Sequence, residues 1–203
     1  MNNWLKYPIK LTGESVELLP LEENHFHQLG LIANDVRIWE FYPFDMSSSD
    51  KIINSFKSAL IEKEKGSRYS FVIYNKRENK IIGATDFLNI QPKNKNLEIG
   101  ATWLHHDYWA TEINFECKFL LLTYCFEILG AVRVQLKTDE KNIRSQKAIQ
   151  KIGATYEGTL RNNLIKDNGV ARNSMYFSII EEEWEERKQE LGALLASKRN
   201  LSF

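Results

Sequence analysis

The chain has 203 residues, enough for one domain with a substantial core and too few for two comfortable ones. It is 43% hydrophobic and 12% aromatic, and 27 basic residues balance 27 acidic ones, which argues against a dedicated nucleic-acid binder. No apolar run of about 18 residues predicts a membrane span, and the opening MNNWLKYPIKLTGE lacks the apolar core and cleavage site of a signal peptide, so no membrane partner and a cytoplasmic location are expected.

Residues 15–21 (SVELLPL) read as a short strand. EENHFHQLGLIAN follows with helical spacing through Phe26, Leu29 and Ala33. The segment VRIWEFYPFDM crowds Trp39, Phe41, Tyr42 and Phe44 together and reads as a packed loop. SSSDKIINSFKSALIEKEKG opens with N-capping serines and Asp50, keeps Ile52, Ile53, Phe56 and Leu60 on one face, and stops at Gly66, which predicts a helix. RYSFVIYN, KIIGATDFLNI and LEIGATWL, separated by the turns KREN and KNKN, predict a three-stranded antiparallel meander over 68–104.

Residues 114–129 form a helix that is apolar nearly all round and therefore central and buried; Gly130 stops it. Cys117 and Cys125 lie about 12 Å apart along it, too far for a disulfide, and are expected to be reduced, buried thiols. AVRVQLKTD alternates as a strand with one wet face. EKNIRSQKAIQKIG is a short helix, 155–180 a second hairpin around KDNG, and the tail a helix over about 181–198 with Trp184, Leu191 and Leu195 on one stripe. The order β-α-α-β-β-β-α-β-α-β-β-α predicts one α/β domain (α+β in layout) over 1–203, with its core at about 15–184, built on a mixed sheet.

Chemistry is expected at two helix starts. A helix N-terminus presents unpaired N–H groups and a positive dipole end, so the junction 104–114 suits a pyrophosphate. In TDEKNIRSQKAIQKIGA, Asp139, Asn142 and Ser145 recur every three residues around another helix start; capping is the simpler reading of that spacing. His105 and His106 are adjacent, and adjacent strand residues point to opposite faces; no further ligands stand at suitable spacing, so a capped strand end and no metal site are expected. Cys117 in an apolar helix is a poor nucleophile, since burial raises a thiol pKa.

The run LEIGATWLHHDYW…NFECKFLLLTYCFEILGAVRVQLKTDEKNIRSQKAIQKIGATYEGTLRNN resembles the core of the GNAT superfamily of acyl-CoA N-acyltransferases, in the branch of the Rim-type ribosomal-protein N-terminal acetyltransferases. The matching features are the E-I-G strand, the N-x-E-x-K helix start at Asn114, Glu116 and Lys118, the strand ending T-D, N-x-x-S-x-x-A-I-x-K-I-G-A, and EGTLR. The likeness runs from about residue 15 to 184. It implies a mostly antiparallel sheet with a V-shaped splay between two central parallel strands, 97–104 and 132–138. Acetyl-CoA would be the co-substrate, with no metal. The pantetheine arm would bond to backbone at Trp103, Leu104 and His105. The pyrophosphate would rest on Ala110, Thr111, Glu112, Ile113 and Asn114, and Asn142 and Ser145 would close the other side.

The resemblance also implies the acceptor, a primary amine on a protein N-terminus or a small molecule, received by the loop carrying Trp39, Phe41, Tyr42 and Phe44. Glu98 matches the strand glutamate used as a base in some members; a salt-bridged strand residue is the plain alternative. The position of the usual tyrosine acid is Ile149, which leaves Ser145 or Tyr156 as stand-ins. The family's turn carries glycines and an Arg or Gln, whereas this one has none and holds Glu112. Two like charges about 5 Å apart at an effective dielectric near 20 repel by roughly 3 kcal/mol. A working acetyltransferase and a degenerate, non-catalytic binding protein of the same fold are both kept as readings. A homodimer through the last helix or exposed strands is compatible with the pattern.

Overall fold

The structure is a computed structural model that describes residues 4–200, with side chains through residue 197. Strands β1 (Leu11–Thr12) and β2 (Val16–Pro20) lead into helices α1 (Phe26–Ile32), α2 (Val36–Trp39) and α3 (Ser49–Glu64). The meander β3 (Tyr69–Asn75), β4 (Lys80–Gln91) and β5 (Asn96–Leu104) follows, then α4 (Ile113–Thr123), β6 (Arg133–Asp139) and α5 (Ile143–Lys151). The hairpin β7 (Thr155–Ile165) and β8 (Ala171–Ile180) and helix α6 (Glu181–Asn200) complete the chain. The sheet order is β1-β2-β3-β4-β5-β6-β8-β7.

All neighbouring strands are antiparallel except β5 and β6, which are parallel. Their pairing covers Asn96↔Arg133, Leu97↔Val134 and Glu98↔Gln135, and stops there. Both strands continue, β5 to Leu104 and β6 to Asp139. The V-shaped splay expected from the resemblance is therefore present. Its cause is visible in β5. The register against β4 slips between Ala84 and Asp86, and Ala101 adopts φ 48°. A bulge of this kind bends its strand and adds twist, turning β5 away from β6.

Two apolar layers cover the sheet. One gathers Phe71, Phe87, Leu97, Ile99, Leu121, Val134 and Phe177, under α4 and α6. The other joins Phe26, Leu29, Trp39, Phe56, Val72 and Trp103, under α1–α3. Helix α6 docks through buried Trp184, Leu191 and Leu195, as their spacing predicts. The Trp184 ring stacks on Phe126 at 5.0 Å, and its indole N–H donates to Glu127 at 2.9 Å. Each such side chain contributes about 1.5–3 kcal/mol on full burial.

Helix α4 is buried nearly all round, including the polar residues Glu116 and Lys118. Glu116 Oε1 accepts the Ser15 N–H at 3.0 Å, which ties α4 to the β1–β2 turn. Lys118 Nζ donates to Thr102 Oγ1 at 2.6 Å, and Thr102 Oγ1 lies 2.7 Å from Thr85 Oγ1. This bridge fixes α4 to the bulged part of β5. Cys117 and Cys125 are free and buried, as expected, and burial pushes the Cys117 thiol up to about 12.

Three features depart from the sequence expectation. A helical turn, α2, interrupts the aromatic segment, capped by Asp35, whose side chain accepts the Arg37 N–H. Helix α4 ends at Thr123 and passes into a π-turn over Tyr124–Ile128. The outer strand β7 loses register between Leu160 and Leu164, where Asn162 has φ 50°.

Two stability measurements follow from these contacts. A Cβ built on Gly83 would stand 2.1 Å from the Trp103 carbonyl oxygen, so Gly83→Ala lowers stability by about 2 kcal/mol or more in a denaturant titration. Burial holds the Lys118 ammonium down at about 8, against an ordinary 10.5. The unfolded chain therefore keeps this proton to higher pH, and the cost of burying the charge is full below pH 8 and fades as pH approaches 10.5. Lys118→Met stabilises the chain at pH 7 by about 1–3 kcal/mol, and thermal melts show the gain vanishing by about pH 10.5.

Candidate active site

The site is built at the open end of the V. Helix α4 begins nine residues after β5 ends, and α5 begins four after β6 ends, so both N-termini lie on the same rim. Side chains join them across the gap: the Arg144 guanidinium from α5 stacks 3.5 Å from the ring centre of Trp109, in the β5–α4 turn. A cation over an indole face is attracted by the ring quadrupole.

The backbone of β5 divides between two neighbours. The His105 N–H donates to Ile82 O at 2.9 Å, and the His105 carbonyl accepts from Tyr108 N–H at 3.0 Å. Trp103 pairs with Ala84. These two residues spend their main-chain groups on β4 and on the turn, contrary to the expectation that they bond a ligand. Alternation then points the Leu104 groups into the splay. Its N–H has no protein acceptor among the described residues. Its carbonyl accepts the Trp109 indole N–H at 3.0 Å, and the Thr102 carbonyl accepts the Tyr42 hydroxyl at 2.7 Å. Burial raises the Tyr42 pKa well above its ordinary value, which keeps that hydroxyl a donor.

The turn before α4 has the shape expected of an anion cradle without the usual glycine. Ala110 adopts φ 61°, a left-handed conformation that costs an L-residue roughly 1–2 kcal/mol. Thr111 caps the helix: its hydroxyl donates to Tyr108 O at 2.8 Å and accepts the Ile113 N–H at 3.4 Å. The N–H groups of Ala110, Thr111, Glu112 and Asn114 meet no protein acceptor among the described residues. Glu112 is half-buried at the N-cap, and its side chain makes no capping bond. Ile113 itself is buried in the core.

On the other rim Asn142 caps α5, with Oδ1 accepting the Ser145 N–H at 3.0 Å. The capping reading of that spacing holds for the Asn142 carbonyl oxygen. The Ser145 hydroxyl is half-buried with no protein partner among the described residues. Ile149 is core.

Glu98 sits at the fork, the last β5 residue paired to β6. Its side chain is buried, and Oε2 accepts from Asn89 Nδ2 and Gln135 Nε2, each at 2.9 Å. Lys137 Nζ lies 3.4 Å from Oε1. The salt-bridged reading of Glu98 is thus the observed one, at a position that adjoins the splay. Tyr156 is elsewhere: it lies on β7, which β8 separates from β6, and is 48% exposed with its hydroxyl 2.9 Å from Thr159 Oγ1. Two strand spacings of about 4.8 Å place its strand roughly 10 Å from β6.

The aromatic segment splits in the same way. Trp39 is core, its indole N–H donating to Ala33 O at 2.8 Å, with Tyr42 and Trp103 packed on its ring. Phe41 is half-buried below Lys166, and Phe44 is 49% exposed. The β7–β8 turn folds onto this loop: Asp167 N–H donates to Pro43 O at 3.0 Å, and Asp167 Oδ2 accepts the Asp45 N–H at 3.2 Å. Lys166 bridges from Asp139 (3.1 Å) to the Glu40 carbonyl (3.3 Å). The loop and the hairpin tip are thereby packed together.

Arg144 was not singled out by the sequence, yet it carried a signal. A cation in the first turn of a helix opposes the dipole, so it implies a local anion or ring. The premise that His105 and His106 point to opposite faces fails: they leave the strand for a turn, and their rings lie 4.2 Å apart.

Comparison with known proteins agrees with this geometry. YdaF of Bacillus subtilis (strain 168), named provisionally as a ribosomal N-acetyltransferase, is 29% identical over 111 residues, 55% of this chain and 60% of that protein. The aligned stretch thus spans less than two thirds of that relative. The uncharacterised N-acetyltransferase p20 of Bacillus licheniformis is 27% identical over 143 residues, 70% of this chain and 78% of its own. A solved structure from T. thermophilus, provisionally described as an acetyltransferase, superposes with TM-score 0.83 at 29% identity, over 94% of this chain and 99% of that one. Mycobacterium smegmatis RimJ, solved with CoA-disulfide, shares the fold at TM-score 0.81 and 18% identity, over 95% and 96% of the two chains. A family model described as an acetyltransferase (GNAT) domain matches residues 15–155, and the chain belongs to that family.

Proposed function

We propose that the chain transfers an acetyl group from acetyl-CoA directly to a primary amine, on a protein N-terminus or a small molecule. The observation that carries this reading is the end of β5–β6 pairing at Glu98 and Gln135, with two helix N-termini flanking the opened strands. The residues present suit the co-substrate. The Leu104 N–H faces the splay, the N–H groups of 110–112 and Asn114 suit a pyrophosphate, and Arg144 adds a cation beside them.

In this reading the amine nitrogen attacks the thioester carbonyl carbon and the C–S bond breaks as the thiolate departs. The Leu104 N–H stabilises charge developing on the carbonyl oxygen. Glu98 takes the proton the amine loses, oriented by Asn89, Gln135 and Lys137. Ser145 or solvent supplies the proton taken up by the thiolate. The surface formed by residues 39–46 and the β7–β8 tip receives the acceptor.

A second reading, a non-catalytic binding protein of the same fold, is favoured by the turn itself. Glu112 stands among the N–H groups, and Trp109 and Tyr42 already occupy the Leu104 and Thr102 carbonyls.

Calorimetric titration with acetyl-CoA separates the readings. Wild type binds and releases CoA thiol in the presence of an amine, and Glu112→Gly tightens binding by up to about a hundredfold as the roughly 3 kcal/mol repulsion is removed. Absence of binding at millimolar acetyl-CoA, with binding created by Glu112→Gly, establishes the second reading instead. Glu98→Gln lowers kcat by about 100-fold or more while leaving acetyl-CoA affinity within about twofold; an unchanged kcat removes Glu98 from the mechanism.

A further inference from the structure

Beside the splay, two sequence-distant segments bring nitrogen and oxygen ligands together. Asp35 caps α2, and His105 and His106 open the β5–α4 turn. One ring nitrogen of each histidine and a carboxylate oxygen of Asp35 all lie within 4.8 Å of one another. We propose that Asp35, His105 and His106 form a binding site for a divalent transition-metal cation of the zinc or nickel type, clamping α2 to the β5–α4 turn. The proposal stands on this geometry and does not rest on the acetyltransferase reading.

A fourth residue supports the assignment. Asp107 reaches both rings, with Oδ1 2.9 Å from His106 Nε2 and Oδ2 3.2 Å from His105 Nδ1. Metal-ligating histidines typically donate their outer N–H to a carboxylate, which fixes the tautomer and leaves the other nitrogen's lone pair for the metal. Here one carboxylate does this for two imidazoles. His106 Nδ1 is thereby directed at Asp35, whose Oδ2 lies 2.7 Å away. A bound cation requires these atoms at about 2.0–2.2 Å from a common centre, a side-chain adjustment for groups that are only partly buried.

The cluster also attracts positive charge without a metal. Arg37 donates to both Asp35 oxygens at 2.8 Å, and its Nη2 lies 2.9 and 3.1 Å from the two His106 nitrogens. The Arg37 side chain is 57% exposed. Two imidazoles and one carboxylate favour borderline cations over magnesium or calcium, which prefer all-oxygen shells.

The test is titration of the full chain, freed of metal by chelator dialysis, with zinc chloride and separately with nickel chloride at pH 7.5. The expected result is saturable one-to-one binding. His106→Gln and Asp35→Asn each weaken it more than tenfold, Asp107→Asn weakens it about tenfold through lost orientation, and Arg37→Ala tightens it by removing the competing guanidinium. Circular-dichroism melts verify that each variant is folded, and His105→Gln replaces any that is not. Magnesium gives no saturable heat. The proposal is overturned by absence of saturable binding in wild type, by His106→Gln binding as tightly as wild type, or by binding that appears only in Arg37→Ala. The last result would make the guanidinium the native occupant.

Discussion

Everything at the candidate site follows from one interruption of hydrogen bonding. Parallel strands β5 and β6 pair for three residues and then part, which leaves main-chain donors and acceptors that a continuous sheet would satisfy. Buried main-chain groups need partners, so the gap must be filled by side chains, water or a ligand. The bulge at Ala101 sets the angle, and the Lys118–Thr102–Thr85 bridge holds the bulged segment in place. A buried ammonium with one hydroxyl acceptor is a poor way to gain stability, which marks it as a positioning element.

The same unsatisfied groups explain the side chains around them. Tyr42 reaches from the aromatic segment after α2 to Thr102 O, and Trp109 folds back from the β5–α4 turn to Leu104 O. The parted end of β5 is therefore held from both sides, and a change in either segment is felt by the same short stretch of strand.

Much of this was legible in the sequence. Apolar periodicity located the meander, the buried helix and the final amphipathic helix, because burial on one face imposes period 2 or 3.6. Helix-terminus chemistry picked out both helix starts, and the motif run implied the splay. What was not legible arises from backbone detail or from distance in the chain. Nothing in FEILG distinguishes the π-turn at Tyr124–Ile128 from continued helix, since both bury the same apolar residues. Ala101 and Ala110 take left-handed φ values that glycine would have advertised and alanine conceals. Asp35 lies some 70 residues from His106, and only the folded chain brings them together. The insertion of β8 between β6 and β7, which sets the strand of Tyr156 apart from β6, is likewise a matter of long-range pairing.

The lost register in β7 has a consequence for the molecule's behaviour in concentrated solution. An outermost strand with unpaired N–H and C=O groups is a template onto which another chain can add. Tyr156, Leu160 and Ile165 on this strand are all large and exposed, the composition that favours such addition. Between Leu160 and Leu164 the pairing slips and Asn162 turns left-handed, while its N–H is claimed by Asn173 Oδ1 at 2.7 Å. The border is cut into two short runs that no straight strand can follow, so the irregularity protects an otherwise sticky edge from growing into a fibre.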